Sequence, residues 1–172
     1  MFEGPIAAVG EVMIELSEFD APDGRVRMGF AGDSYNTAVY LARLLGRDGP
    51  RVDYVTALGH DALSERMLDT MRAEGLGTTC VARLNDRLPG IYAIEIDETG
   101  ERSFAYWRET SAARSMFSPE GLDPAALTAF GTVHLSGITL AILPLWVSRG
   151  PYTLKYRRPT TGAVAISACW RT

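Results

Sequence analysis

Lysine is almost missing from this chain: of 17 basic residues only Lys155 is a lysine. Just two histidines, His60 and His134, and two cysteines, Cys80 and Cys169, occur in 172 residues. With so few candidates no nucleophile triad and no metal-ligand spacing is legible, and the cysteines read as isolated thiols of a reducing cytoplasm. His60, between Gly59 and Asp61, reads as loop at a helix start, and His134 as a core residue of an apolar strand. Neither a GxxxxGK[ST] phosphate loop nor a GxGxxG turn is present. No apolar stretch approaches the ~20 residues that span a bilayer. The opening Met1-Phe2-Glu3-Gly4-Pro5 has no basic region and no long apolar run, so no signal peptide is expected. A net charge of -4 removes the electrostatic case for nucleic acid or a membrane surface. Acidic residues are absent from 145–172, which hold five basic ones, whereas 1–144 hold twelve arginines and all 21 acids.

What is present fits a globular domain: 47% apolar and 22% charged residues, in a length able to bury one core. Ile6-Ala7-Ala8-Val9-Gly10 reads as a buried strand that continues through Val12, Ile14 and Leu16 in alternation. Gly24 to Phe30 is a more exposed strand. Asn36 to Leu45 is helical, with Tyr35, Ala38, Val39, Ala42 and Leu45 on one face and Gly46 closing it. Val52 to Ala57 is a strand, and Asp61 to Glu74 a helix with Leu63, Met67, Leu68 and Met71 inward, ended by Gly75. This alternation of strand and helix argues a parallel α/β sheet. Later, Pro124 to Phe130 reads as a short helix and Thr132 to Gly137 as another buried strand ending in a Ser-Gly turn.

Between them the rhythm breaks. Ile91–Ile96 and Arg102–Trp107 flank Asp97-Glu98-Thr99-Gly100, a β-hairpin. A three-residue loop with Gly100 in the left-handed position pairs Ile96 with Arg102, Ile94 with Phe104 and Tyr92 with Tyr106. A tighter turn would set Tyr92 against Ala105. The first register stacks aromatic and branched side chains, each pair worth about 0.2–1 kcal/mol. Period two then places Tyr92, Tyr106 and Arg108 on one face of the ribbon. That face is either an exposed hairpin with ordinary cross-strand aromatics, or a site where phenols bond hydroxyls and Arg108 forks onto a carboxylate.

A second segment also admits two readings. Gly29-Phe30-Ala31-Gly32-Asp33-Ser34-Tyr35-Asn36-Thr37-Ala38 is a glycine-flanked turn entering a helix. Asp33 or Ser34 simply caps that helix, or the free N–H groups of its start and the Asn36 amide face a polyol or an anion.

In order along the chain, Gly10-Glu11-Val12-Met13-Ile14-Glu15-Leu16-Ser17, the Gly-Asp-x-x-Asn-Thr turn at Gly32 to Thr37, Tyr54-Val55-Thr56-Ala57-Leu58-Gly59, Arg87-Leu88-Pro89-Gly90-Ile91-Tyr92, Thr99 to Phe104 with Tyr106-Trp107-Arg108, and Leu135-Ser136-Gly137-Ile138 resemble the N-terminal half of the PfkB/ribokinase family of carbohydrate kinases. The resemblance covers residues 6 to about 144, with Ala31 in place of the family's first glycine. It implies an α/β fold, a ribokinase-like, Rossmann-type parallel sheet with a β-hairpin lid, truncated in this chain. Residues 1–144 would form that part, the lid being about 12–33 and 88–108.

The activity implied is ATP- and Mg2+-dependent phosphorylation of 2-keto-3-deoxygluconate to its 6-phosphate, in the cytoplasm. The substrate-binding residues implied are Gly32, Asp33, Ser34, Tyr35 and Asn36 of the turn, with Tyr92, Tyr106, Trp107 and Arg108 of the lid. The alternatives are a kinase of fructose or ribose, or a non-catalytic sugar-binding or dimerisation fragment, since such lids pair into homodimers. A fragment without a stable fold is a further reading. The family's Asp-x-Asn-x-Arg strand and its Gly-Ala-Gly-Asp anion hole do not occur in these 172 residues. The catalytic base and the ATP and Mg2+ sites would then be missing, and the chain inactive alone. After Pro144 the resemblance ends, and the acid-free stretch 145–172 reads as a divergent tail of the kind a shifted reading frame produces.

Overall fold

The computed structural model describes residues 4–19, 23–143, 152–157 and 165–170, the last two segments as backbone strands. In chain order the elements are β1 (Ile6–Val9), β2 (Met13–Ser17), β3 (Arg27–Ala31), α1 (Asp33–Leu45), β4 (Val52–Leu58), α2 (Ala62–Ala73), β5 (Val81–Arg83), β6 (Gly90–Ile96), β7 (Arg102–Trp107), β8 (Thr132–Leu135), α3 (Gly137–Ile142), β9 (Tyr152–Arg157) and β10 (Ala165–Trp170). Two 3-10 turns, Ala112–Ser115 and Pro124–Ala129, lie between β7 and β8. Most of the expected divergent tail falls outside what is described. Its two strands pair antiparallel with each other.

β1 and β4 are buried along their whole length, as strands covered on both faces must be. They pair in parallel, and β5 and β8 extend the sheet on either side in the order β5-β4-β1-β8. The parallel α/β sheet expected from the strand-helix rhythm is therefore present. Alternate residues of its strands feed two cores. Ile6, Ala8, Val52, Tyr54 and Leu58 meet Tyr35, Ala38 and Val39 of α1 and Met67, Leu68 and Met71 of α2. Ala7, Val9, Val55 and Ala57 meet Ala112, Ala113, Met116 and Phe117 on the other side.

The second sheet has the order β3-β2-β6-β7. β2 pairs antiparallel with β3 and parallel with β6, and β6 pairs antiparallel with β7. Ile14 belongs to the α1/α2 core, and Leu16, Met28, Phe30 and Ile91 of the same face pack against it. The other face is left to the residues of the candidate site.

Several expectations are corrected. The continuous strand through Leu16 is two strands in two sheets, because the chain leaves the parallel sheet at Gly10–Val12. Alternation of apolar residues persists across that break, since Val12 and Ile14 still join the α1/α2 core, and so conceals it. β3 begins at Arg27 and α1 already at Asp33. The segment 124–129 is a 3-10 turn, and β8 is a half-buried strand at the sheet edge, His134 with it. The Ser136-Gly137 turn opens a helix, Ser136 accepting from the Thr139 N–H at 3.1 Å. β5 and the turn at 112–115 are too short for periodicity to reveal.

Candidate functional site

In open α/β sheets ligands gather at the carboxyl ends of the parallel strands. Here that end of β1 is a crowded crossing. A Cβ added to Gly10 would lie 2.5 Å from Ser34 Cβ and 2.6 Å from Ser34 Oγ, so the start of α1 sits directly on the strand end. Ser34 is fully buried, its Oγ 3.3 Å from Thr139 Oγ1, which donates to the Val9 carbonyl at 3.1 Å. These hydroxyls lock the first turns of α1 and α3 to β1.

Gly32 is the residue that caps α1, and no side chain caps the helix. Its φ of 174° is ordinary extended backbone. What demands glycine is space, because a Cβ there would collide with the Glu11 carbonyl oxygen. The expected cap by Asp33 or Ser34 is replaced by a local bond, Asp33 Oδ1 accepting from the Ser34 N–H at 2.7 Å. Asp33 and Asn36 are exposed at this helix start. Tyr35 is not: it is buried, and its ring meets Tyr54 edge-on at 5.5 Å in the core.

The ribbon forms in the register expected, Tyr92 opposite Tyr106, Ile94 opposite Phe104 and Ile96 opposite Arg102, with Gly100 at φ 83°. Tyr92 and Tyr106 stack with centroids 5.9 Å apart, and Phe104 continues the row at 6.3 Å from Tyr106. The Arg108 guanidinium lies 5.8 Å from the Tyr106 ring centroid, so three of the lid residues share one face. Trp107 does not. It pairs with Ile91, on the opposite side of the ribbon, and is 58% exposed there.

Two carboxylates that sequence reading did not assign to the site complete it. Tyr92 donates its hydroxyl proton to Glu15, directly across from it on β2. Burial first, and then this bond, raise the Tyr92 pKa well above that of an ordinary phenol. The phenol therefore stays neutral, keeping its lone pairs for a donor on a ligand. Arg108 forms an ion pair with Glu11, whose side chain is 3% exposed against 18% for Arg108. The pair is shielded from solvent: Glu11 Oε1 and Oε2 and Arg108 Nε and Nη2 are all buried, with no hydrogen-bond partner beyond this contact. Removing one member of such a pair would leave the other charge stranded, a loss of about 3–5 kcal/mol. In the sequence Glu11 shows as an acid between two apolar runs, within the Gly10 to Ser17 stretch that carries the family resemblance.

Glu11 also joins the two halves. Its carbonyl lies against Gly32, and its Oε1 lies 2.8 Å from where a Cβ on Gly90, the first residue of β6, would sit. The helix start, the strand end and the ribbon thus meet at one residue. A groove of about 810 Å³ opens farther along the aromatic face, lined by Glu15, Ser17, Ile94, Ile96 and Arg102 among others. Gly32, Asn36 and Arg108 do not border it.

A parallel α/β sheet with a second four-stranded sheet beside it is an architecture that this chain shares with solved sugar kinases. Residues 5–149 match the pfkB family carbohydrate kinases, and the chain belongs to that family. It is 49% identical over 142 residues to a 2-dehydro-3-deoxygluconokinase of Escherichia coli strain K12, covering 80% of this chain and 44% of that protein. A 2-dehydro-3-deoxygluconokinase of Dickeya dadantii is 47% identical over 140 residues, with 80% and 44% covered. The chain spans less than half the length of these relatives. Among solved structures, 2-dehydro-3-deoxygluconokinase from Thermotoga maritima superposes with a TM-score of 0.69 at 25% identity, covering 83% of this chain and 44% of that one. Fructokinase with bound ATP from Xylella fastidiosa gives 0.64 at 25% identity, covering 76% and 38%.

Proposed function

We propose that this chain carries the sugar-binding and lid part of a kinase that transfers phosphate from ATP to the terminal hydroxyl of 2-keto-3-deoxygluconate, giving the 6-phosphate. The observation that carries this is the position of Arg108. A guanidinium stands beside two stacked phenols on the open face of the lid and is linked through Glu11 to the start of α1. A neutral ketose offers Arg108 only hydroxyl and carbonyl oxygens; a sugar acid offers a carboxylate, the stronger, charge-assisted partner. In this reading Gly32, Asp33 and Asn36 meet the sugar hydroxyls, Tyr92 accepts from one, and Tyr106 with Arg108 closes on the acid end. The names of the curated relatives support the choice of substrate.

The nucleotide part is a different matter. Among the described residues no three His, Cys, Asp or Glu side chains converge to hold a metal ion, and the 172 residues have no glycine-rich phosphate loop. In this reading ATP and Mg2+ belong with the part of the relatives that this chain does not span. Residues 1–144 supply the sugar half and 145–172 a divergent tail. An ADP-release assay on the purified chain should show no sugar-dependent turnover, and turnover would refute the division. Calorimetry on the same chain should show 2-keto-3-deoxygluconate binding tighter than fructose or ribose. Equal affinities would refute the sugar-acid reading. The exposed Trp107, on the face of the lid turned from Tyr92 and Tyr106, favours pairing of two copies through it, which gel filtration tests.

A further inference from the structure

Arg108 lies one residue beyond the end of β7, where no strand pairing holds it. Two contacts place its guanidinium: the Tyr106 ring and the Glu11 carboxylate. Glu11 is itself tightly set, its carbonyl against Gly32 and its Oε1 in the space that glycine leaves at position 90. The Nε and Nη2 atoms of Arg108 are buried, and Nη2 is the atom in contact with Glu11. One edge of the guanidinium therefore faces inward, and Nη1 is not among its buried, unpartnered atoms. A planar guanidinium pinned along its Nε–Nη2 edge presents its Nη1 N–H donors in a fixed direction, which a charge-assisted bond to a carboxylate needs.

We propose that Glu11 is the positioning residue for Arg108: by holding the inner edge of the guanidinium it aims the Nη1 side at the Tyr92–Tyr106 face and so makes the site prefer an acidic to a neutral ketose. The inference rests on the sugar-acid reading above. Glu11 does not touch the sugar in this scheme, since both its oxygens are buried. Its negative charge even opposes the ligand's, so its contribution is geometric.

That combination has a signature. In calorimetry on the full 172-residue chain, Glu11→Met should weaken 2-keto-3-deoxygluconate binding about tenfold or more and leave fructose within about twofold of wild type. Glu11→Gln keeps an acceptor oxygen for the guanidinium without the opposing charge, and should hold acid affinity within about threefold of wild type or tighten it. In the Arg108→Ala background, Glu11→Met should have no further effect. An unchanged acid-to-neutral ratio in Glu11→Met, or a loss in Glu11→Gln as large as in Glu11→Met, would overturn the proposal.

A second readout needs no ligand. The Arg108 Nε–H resonance, assigned by its loss in Arg108→Lys, should be protected from solvent exchange in wild type and Glu11→Gln and unprotected in Glu11→Met. Equal protection in all three overturns the positioning role. Should the wild-type chain bind neither sugar, the sugar-acid reading falls, while this measurement still decides what Glu11 does to Arg108.

Discussion

The two four-stranded sheets of this molecule handle their apolar residues in opposite ways. In the parallel sheet, β1 and β4 are sealed on both faces by helices and turns, and nearly every side chain is packing material. In the lid sheet only one face, with Ile14, Met28, Phe30 and Ile91, is turned to that core. The other presents a row of aromatics, of which Phe104 and Tyr106 are half exposed. A sheet that leaves large aromatic rings uncovered gives up burial that it could have had. The difference teaches where to look for function: the parallel sheet provides rigidity, and in the proposed reading recognition falls to the open face of the second sheet, at its border with the strand ends.

The contrast can be broken most directly by equal truncations on each side. Met71→Ala, in the sealed core, should cost about 2–5 kcal/mol in urea unfolding. Phe104→Ala, on the open lid face, should cost about 0.5 kcal/mol or less. Similar losses would mean that the lid face is packed as the core is. An intermediate effect belongs to the helix that braces the core side. Asp61 caps α2, accepting from the Leu63 and Ser64 N–H groups at 3.0 Å each, so Asp61→Ala should lower stability by about 1 kcal/mol. Burial alone would raise the Asp61 pKa, but the bonds from Ser64 and the backbone outweigh it and hold the carboxyl below its usual value. A depressed folded-state value means that this stabilisation is complete above the unfolded pKa near 4 and fades as pH falls through the folded one. The wild-type minus Asp61→Ala difference should therefore shrink below about pH 4.

The smallest effect lies at the other end of the pH scale. Tyr92 is raised by burial and by Glu15, and Tyr54 is raised by burial and by the charges of Asp33 and Glu11. Groups held protonated in the folded state stabilise it fully below the unfolded phenol value near 10, and that stability declines as pH rises further. An ultraviolet titration should show phenols ionising late in the folded chain, and Tyr92→Phe should remove one of them. A single ionisation step near pH 10 for every tyrosine would contradict the Glu15–Tyr92 bond.

What could be read from the residues alone follows the same division. Local chemistry carried the hairpin: Gly100 dictated the loop, the loop dictated the register, and the register placed Tyr92 opposite Tyr106. Period two also placed Trp107 away from Tyr106, yet the resemblance grouped them, and alternation proves the better guide. Tyr35 sits beside true surface positions in sequence, and only the helix phase sends its ring to Tyr54. The Glu11–Arg108 contact joins residues far apart along the chain, through a turn that no periodic pattern describes. Long-range pairing of this kind arises from packing two sheets together, and it is the part of the site that sequence left hidden.

The claim that the lid recognises an acid through Arg108 is tested most directly by the calorimetric affinity for 2-keto-3-deoxygluconate in wild type and in Glu11→Gln/Arg108→Ala, a pair of changes that leaves no buried carboxylate stranded. Loss of a charge-assisted contact of about 1.5–3 kcal/mol should weaken binding roughly tenfold to a hundredfold while fructose binding stays as it was. Undiminished binding of the acid in the double variant would contradict the account.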